Sequence, residues 1–336
     1  MVIPCPVGFD SFPVLHYAFH VRLRRAERGG MSMRPFAYRA PTSIAEAVAL
    51  LGAQSAGARP FAGGTDLLVL MRHGLLSAEM LVDLKRIPEL NELSYTPEAG
   101  LTIGAAVPLR QVADCPEVAA HYPALHDAVS LIGGPAIRER ATLGGNLGNA
   151  APSADSIPPL MVLEAWLTVA GPEAAPGSVS TVSSDGAIRR LPVGDLCTGP
   201  RQTALRPGEM IVSIHLPPPP PHTGSSYLRF IPRVEMDIAV AGAGAWVQLS
   251  PERNRIEAAR IALSAVGPTP LLAAEAGASL AGQEPSAEAM AEAARLAQEA
   301  AQPISDVRGT AAQRRHLIGV LTRRALEQAI ERARRG

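Results

Sequence analysis

Five consecutive prolines, Pro217 to Pro221, constrain this chain more than any other feature. Each fixes its own φ and removes a backbone donor, so the run can neither continue a helix nor join the interior of a sheet. It reads as a stiff polyproline-type connector and as the clearest domain boundary in the chain. On either side lies ample material for a core: 336 residues at 47% hydrophobic content are too much for one small core. Two or three lobes of about 100 residues each are expected. The expected division is an extension over 1–32, a domain over 33–221 with lobes of about 33–92 and 93–221, and a smaller domain over 222–336.

Charge and cysteine usage narrow the partners. Lys+Arg and Asp+Glu both number 31, giving a formal net charge of zero, and no basic stripe precedes the C-terminal tail. No electrostatic footprint for nucleic acid is present. No apolar run approaches the roughly 18–20 residues of a spanning helix, so no membrane span is expected. Cys5, Cys115 and Cys197 are far apart and in no CxxC or Cys/His spacing, which excludes a disulfide framework, a structural zinc site and a cysteine-ligated iron-sulfur cluster. A reducing cytoplasm fits this pattern. Lys85 is the only lysine, so the positive charge is otherwise arginine, the mark of a composition bias.

The first thirty residues read unlike the rest. They hold Phe9, Phe12, Tyr17 and Phe19 without helical or strand period, followed by Arg22, Arg24, Arg25 and Arg28. A secretory signal has the opposite order, charge before apolar stretch, so an ill-ordered extension is expected, with Met31 or Met33 as alternative starts. Pattern begins at Met33-Arg34-Pro35-Phe36. Ser43 and Glu46 form a capping box ahead of Ile44, Val48 and Leu51, predicting a helix of about three turns. A short strand at 59–62 runs into Gly63-Gly64-Thr65-Asp66, a helix follows from Leu67 to Gly74, and Met80 to Leu84 has strand length. Leu93 to Ile103 reads as a hairpin turning at Pro97 to Gly100. Helices near 109–113, 124–132 and 156–164 flank a glycine-rich segment at Thr142 to Gly148. Strands follow at 167–170, 188–192 and 210–216. Beyond the prolines, strands at 227–231, 238–249 and 256–266 precede helices at 287–301 and 310–333.

Two glycine-rich turns carry the candidate chemistry. In Ala62-Gly63-Gly64-Thr65-Asp66-Leu67 a strand ends and a helix begins, so unpaired amides there can hold a phosphate. Thr142-Leu143-Gly144-Gly145-Asn146 repeats the ingredients: a hydroxyl, two glycines and a side-chain amide. One such turn is commonly just a turn with a helix cap; two in consecutive lobes also suit a pyrophosphate gripped from both sides. No GxGxxG follows a strand and no GxxxxGK[ST] occurs, so a diphosphate ligand needs another fold. No paired histidines, nucleophile elbow or close carboxylate pair stands out, and redox chemistry would require a bound cofactor.

Phe61 to Leu68, Leu81 to Leu84, Ala141 to Ala150 and Ser153 to Leu160 closely resemble the FAD-binding medium subunit of molybdenum hydroxylases, the group of carbon monoxide dehydrogenase and xanthine dehydrogenase. The resemblance continues through Gly208-Glu209, Tyr227 to Arg233 and Asp237-Ile238-Ala239 into the C-terminal helices, covering about residues 33–334. It implies an α+β fold: a two-lobed FAD-binding domain of the vanillyl-alcohol-oxidase (PCMH) type followed by a smaller α+β C-terminal domain. It also implies that the Ala62 to Leu67 and Thr142 to Asn146 turns hold the FAD diphosphate. Asp155 falls near the adenosine or ribityl part, and Ile132 and Ile211 where apolar groups pack on the flavin. Arg229 falls near the pyrimidine end of the ring, where relatives often have lysine; the change follows the arginine-rich composition. Each position has a structural alternative: Asp155 as a helix N-cap, Ile132 and Ile211 as core, Arg229 as a surface strand residue.

The function implied is an electron-transfer subunit. Substrate is hydroxylated at a molybdenum cofactor on a large subunit, electrons cross the clusters of a small two-iron two-sulfur subunit, and FAD on this chain passes them to NAD, a quinone or oxygen. A dimer of heterotrimers in the cytoplasm is the implied assembly. A stand-alone FAD oxidoreductase and a cofactor-free assembly scaffold are the rival expectations. Three scattered cysteines disfavour the branch of the family that carries an extra cluster in this subunit.

Overall fold

The capping box forms as its spacing requires: the Glu46 amide donates to Ser43 Oγ at 3.3 Å and Glu46 Oε2 accepts the Thr42 amide at 3.1 Å. In this computed structural model residues 33–53, 57–172, 181–183, 186–233 and 235–335 are described, and the extension expected over 1–32 lies outside them. The first lobe runs β1 (Ala37–Arg39), α1 (Ile44–Ala53), β2 (Ala58–Phe61), α2 (Leu67–Arg72) and β3 (Met80–Asp83). Its three strands are parallel in the order β1-β3-β2. Helical crossovers impose that direction, and the central strand β3 is buried along its whole length.

The second lobe is built on an antiparallel sheet. β4 (Leu93–Thr96) and β5 (Gly100–Gly104) form the expected hairpin, with Gly100 at φ +81° supplying its turn. Six short helices follow: α3 (Leu109–Asp114), α4 (Pro116–His121), α5 (Pro123–Leu131), α6 (Pro135–Arg138), α7 (Leu143–Asn149) and α8 (Ile157–Val162). Proline opens α4, α5 and α6, where its missing N–H would have had no helical partner. Strands β6 (Trp166–Gly171), β7 (Thr181–Ser183), β8 (Gly186–Pro192), β9 (Cys197–Gly199), β10 (Gln202–Thr203) and β11 (Met210–Leu216) complete it. The main sheet has the order β4-β5-β11-β6-β8-β7. Leu143, Leu147, Leu160 and Ile214 are fully buried in the core that joins helices to sheet.

After the proline run, β12 (Thr223–Phe230), β13 (Ala241–Leu249), β14 (Ile256–Ser264) and β15 (Leu271–Leu272) form an antiparallel sheet. It is covered by α9 (Ala274–Ala278), α10 (Ala287–Ala300) and α11 (Ala311–Arg335). Ile318, Leu321, Ala325 and Ala329 recur at helical spacing on the buried stripe of α11. Helices α5 and α8 of the preceding lobe also pack on this sheet, which places the residues around Asp155 beside β12. Among the described residues, no helix is long and apolar enough to cross a membrane, and no cluster of His, Cys, Asp or Glu could hold a metal ion.

Beyond unforeseen short elements such as β1, α4 and α6, and a β12 that begins at Thr223, two departures from the sequence expectation have clear local causes. The glycine-rich segment after Thr142 is helical: Thr142 Oγ1 caps it by accepting the Gly145 amide at 2.9 Å, and burial of Leu143 and Leu147 offsets the glycines' low propensity. The strand expected from Ile238 begins at Ala241, because Asp237 takes the Ile238 amide at 2.8 Å and the Arg233 guanidinium at 3.1 Å, holding the segment in a turn.

Candidate functional site

The first turn lies between β2 and α2. Gly64 has φ +74°, a left-handed backbone that glycine adopts without strain, and a Cβ there would meet the Phe61 ring at 2.5 Å. Leu68 donates its amide to the Gly64 carbonyl at 3.0 Å, which starts the helix. The amides of Gly63, Gly64, Thr65 and Asp66 donate to no group among the described residues. Lys85 anchors the turn from beneath: Nζ donates to the Ala62 carbonyl at 3.0 Å and to Asp83 Oδ1 at 2.6 Å, and lies 4.2 Å from the Phe61 ring centre. Asp83 also accepts the Tyr38 hydroxyl. Burial works to raise the Asp83 carboxyl, but Lys85 and Tyr38 outweigh it and hold it below the usual carboxylate range.

The segment that leads into the second turn packs directly against the first. A Cβ on Gly63 would lie 1.9 Å from the Arg140 carbonyl oxygen, so the Gly63 backbone rests on the peptide that leads into Thr142. Gly144 is held in the same way, with Ala105 O only 2.5 Å from where its Cβ would be. Gly145 differs: it is exposed, and the only atom near its would-be Cβ is Thr142 Oγ1 at 3.1 Å. Gly63 and Gly144 are therefore required by the protein's own packing, whereas Gly145 leaves an open face. Leu67 is half-buried at the start of α2, and Asp66 stands at the rim.

Beyond the second turn the chain leads to a buried charge. Ser156 Oγ donates to Asn146 Oδ1 at 2.6 Å, tying the turn to the start of α8. The preceding residue, Asp155, is buried and meets strand β12 of the C-terminal sheet. Its Oδ1 accepts the Tyr227 hydroxyl at 2.7 Å, and its Oδ2 accepts Nη1 of Arg229. Residues 227 and 229 alternate along β12, so both side chains project from one face of the sheet. Gly242, opposite Arg229 on β13, leaves room for the phenol: a Cβ there would lie 2.5 Å from Tyr227 Oη. Burial pushes the Asp155 carboxyl up, against the pull of Arg229 and Tyr227, and pushes the Tyr227 phenol well up too. Arg229 Nη2 donates to the Leu131 carbonyl at 2.6 Å, while its buried Nε finds no partner among the described residues.

The fold thus brings Ala62 to Leu67 together with Thr142 to Asn146 and links the second group to Asp155 and Arg229. Asp155 does not cap α8 through its side chain; both carboxylate oxygens are spent on Tyr227 and Arg229 of β12. Arg229 is a buried ion-pair partner, its side chain 6% exposed. Ile132 is half-buried just after Leu131, and Ile211 is in the main core on β11. Sequence reasoning passed over Tyr227, Leu131, Asp83 and Lys85. Lys85 had a signal: one lysine persists where arginine serves everywhere else, and a compact three-donor ammonium suits two acceptors 23 and 2 residues away.

Comparison with known proteins matches residues 34–219 to the FAD binding domain in molybdopterin dehydrogenase and residues 226–329 to the CO dehydrogenase flavoprotein C-terminal domain. The carbon monoxide dehydrogenase medium chain of Afipia carboxidovorans is 35% identical over 301 residues, covering 89% of this chain and 98% of that one. The xanthine dehydrogenase FAD-binding subunit of Escherichia coli O157:H7 is 29% identical over 297 residues, covering 88% and 96%. Among solved structures, reconstituted CO dehydrogenase from Oligotropha carboxidovorans superposes with a TM-score of 0.82 at 34% identity, covering 90% of this chain and 99% of the matched one. Both halves of the fold and nearly its whole length are accounted for, and the chain belongs to the FAD-binding subunits of the molybdenum hydroxylase family, oxidoreductase subunits whose cofactor is FAD.

Proposed function

We propose that this chain is the electron-transfer flavoprotein of a three-subunit molybdenum-dependent dehydrogenase, receiving electrons from a two-iron two-sulfur partner and delivering them to an external acceptor. When bound, FAD supplies the redox chemistry, which no side chain of the site provides. The observation that carries the assignment of the site is the packing of the first glycine turn on the peptide that leads into the second, Gly63 against the Arg140 carbonyl. Among the described residues the amides of Gly63 to Asp66 have no partner and fit an anionic diphosphate, beside a second turn whose Gly145 and Asn146 amides are bonded to Thr142. The residues present therefore suit the cofactor. Ala62 to Leu67 and Thr142 to Asn146 hold the diphosphate, Lys85 fixes the Ala62 carbonyl, and Ile132 and Ile211 pack toward the ring. Arg229 presents a cation on the ring side. Domain limits of 33–221 and 222–336, with lobes meeting near 92, complete the proposal. The molybdenum cofactor is on the large subunit and the clusters on the small one, in a cytoplasmic dimer of heterotrimers.

Affinity purification of the chain from the cells that make it tests this function. Two further subunit types, with molybdenum and iron in the purified complex, are expected. A chain that alone oxidises a small organic substrate at about 1–1000 per second would overturn it in favour of a stand-alone flavoenzyme.

A further inference from the structure

Arg229 has five N–H groups on a side chain only 6% exposed, and Asp155 and Leu131 each accept one from its two terminal nitrogens. Its Nε has no partner among the described residues. A buried donor left unmade costs about 1–3 kcal/mol, so an acceptor from outside the protein is the economical explanation. The position is specific. Arg229 Nη2 is bonded to the carbonyl of Leu131, a residue that is 38% exposed. An unsatisfied cationic donor thus lies one contact away from an exposed apolar residue. Such a site suits the edge of a planar heteroaromatic ring that carries acceptor atoms. The contacts Asn146–Ser156 and Asp155–Arg229 connect this point to the second glycine turn, the other end of the same proposed ligand site.

We propose that Asp155 is a positioning residue that aims the Arg229 guanidinium at the flavin ring and, as its counter-charge, sets the reduction potential of the bound FAD. This role rests on FAD occupying the site proposed above. Reduction adds two electrons and one proton to the ring and leaves one negative charge there. In the assembly the electrons come from an iron-sulfur donor, and in a titration from dithionite. A cation beside the ring favours that charge, and a carboxylate behind the cation opposes it. With Tyr227 donating to Oδ1 and Arg229 to Oδ2, Asp155 has a fixed orientation, and the pair is close to neutral as a unit. The ring would then sense a guanidinium whose field is largely cancelled.

The test is a dithionite titration of the FAD-loaded full chain against reference dyes, with flavin occupancy measured in parallel. Asp155→Asn should shift the reduction equilibrium at least tenfold toward the reduced flavin, about 30 mV upward for a two-electron couple. Arg229→Met should shift it at least tenfold the other way, and Arg229→Lys should restore it to within about threefold of the parent. Opposite signs at two residues in one ion pair are not expected of damage to packing. If Asp155→Asn fails to fold, the contrast between Arg229→Met and Arg229→Lys decides. Normal occupancy with unmoved potentials, or shifts of the same sign in both variants, would overturn the proposal. Absence of flavin from the parent chain would instead contradict the FAD assignment itself.

Discussion

Tyr227 and Asp155, 72 residues apart, are joined by a buried 2.7 Å hydrogen bond from the phenol to the carboxylate. The bond crosses from β12 of the C-terminal domain to the segment that leads into α8. Tyr227→Phe keeps the ring and removes the donor, leaving a buried carboxylate oxygen underserved. Stability should fall by about 1–3 kcal/mol, read as a lower urea midpoint at unchanged m value. A midpoint equal to the parent's would mean the contact contributes nothing.

The two classes of glycine should separate in a mutational pair. Gly63→Ala places a methyl group 1.9 Å from the Arg140 carbonyl oxygen, where only backbone can yield. Overpacking of this kind costs about 1–3 kcal/mol and should lower the thermal midpoint even without flavin. Gly145→Val meets little beyond the Thr142 hydroxyl, so the flavin-free protein should melt within a few degrees of the parent. Its flavin retention should nevertheless drop sharply, because a branched side chain now occupies the open face. Full flavin occupancy in Gly145→Val would remove the second turn from the diphosphate site.

Lys85→Met should weaken both the fold and the cofactor site. Asp83, its side chain 6% exposed, would keep only Tyr38 and the Lys85 amide as partners. Losing a charge-assisted bond of this sort costs about 1.5–3 kcal/mol. The Ala62 carbonyl would lose its anchor, and FAD should dissociate faster than from the parent in a dilution assay.

Acid should loosen the segment before β11. Glu209 takes Arg189 through both oxygens at 2.8 and 2.7 Å and accepts the Arg206 amide at 2.7 Å. Burial works to raise this carboxyl, yet Arg189 and Arg206 outweigh it and hold it below the usual carboxylate range. A depressed folded-state pKa means the pair's stabilisation is complete above the unfolded-state pKa and is lost as pH falls through the folded one. Glu209→Gln should therefore cost stability at neutral pH and progressively less on acidification. Parallel pH profiles for the two proteins would contradict this assignment.

Much of this fold was legible because its signals were local. The Ser43–Glu46 box and the Gly100 hairpin depend on residues a few positions apart, and each formed where its spacing placed it. The Gly144-Gly145 segment, read only as a glycine-rich turn, is helical because tertiary burial of Leu143 and Leu147 offsets the glycines' low propensity. The family was legible from ordered motifs along the chain, and the glycine turns were picked out by residue type. What was not legible was pairing at a distance. Nothing in a linear sequence announces that Asp155 faces Tyr227 and Arg229, or that Gly63 rests on Arg140. Those relations arise only when α8 docks on the C-terminal sheet and the two turns meet.

The most direct test is the identity and amount of flavin released by heat from the purified full-length chain, read by mass spectrometry. One FAD per chain, released without covalent attachment to any peptide, is the expected result. Recovery of FMN alone, of flavin bound to peptide, or of a folded chain that takes up no FAD when supplied with it, would contradict the account.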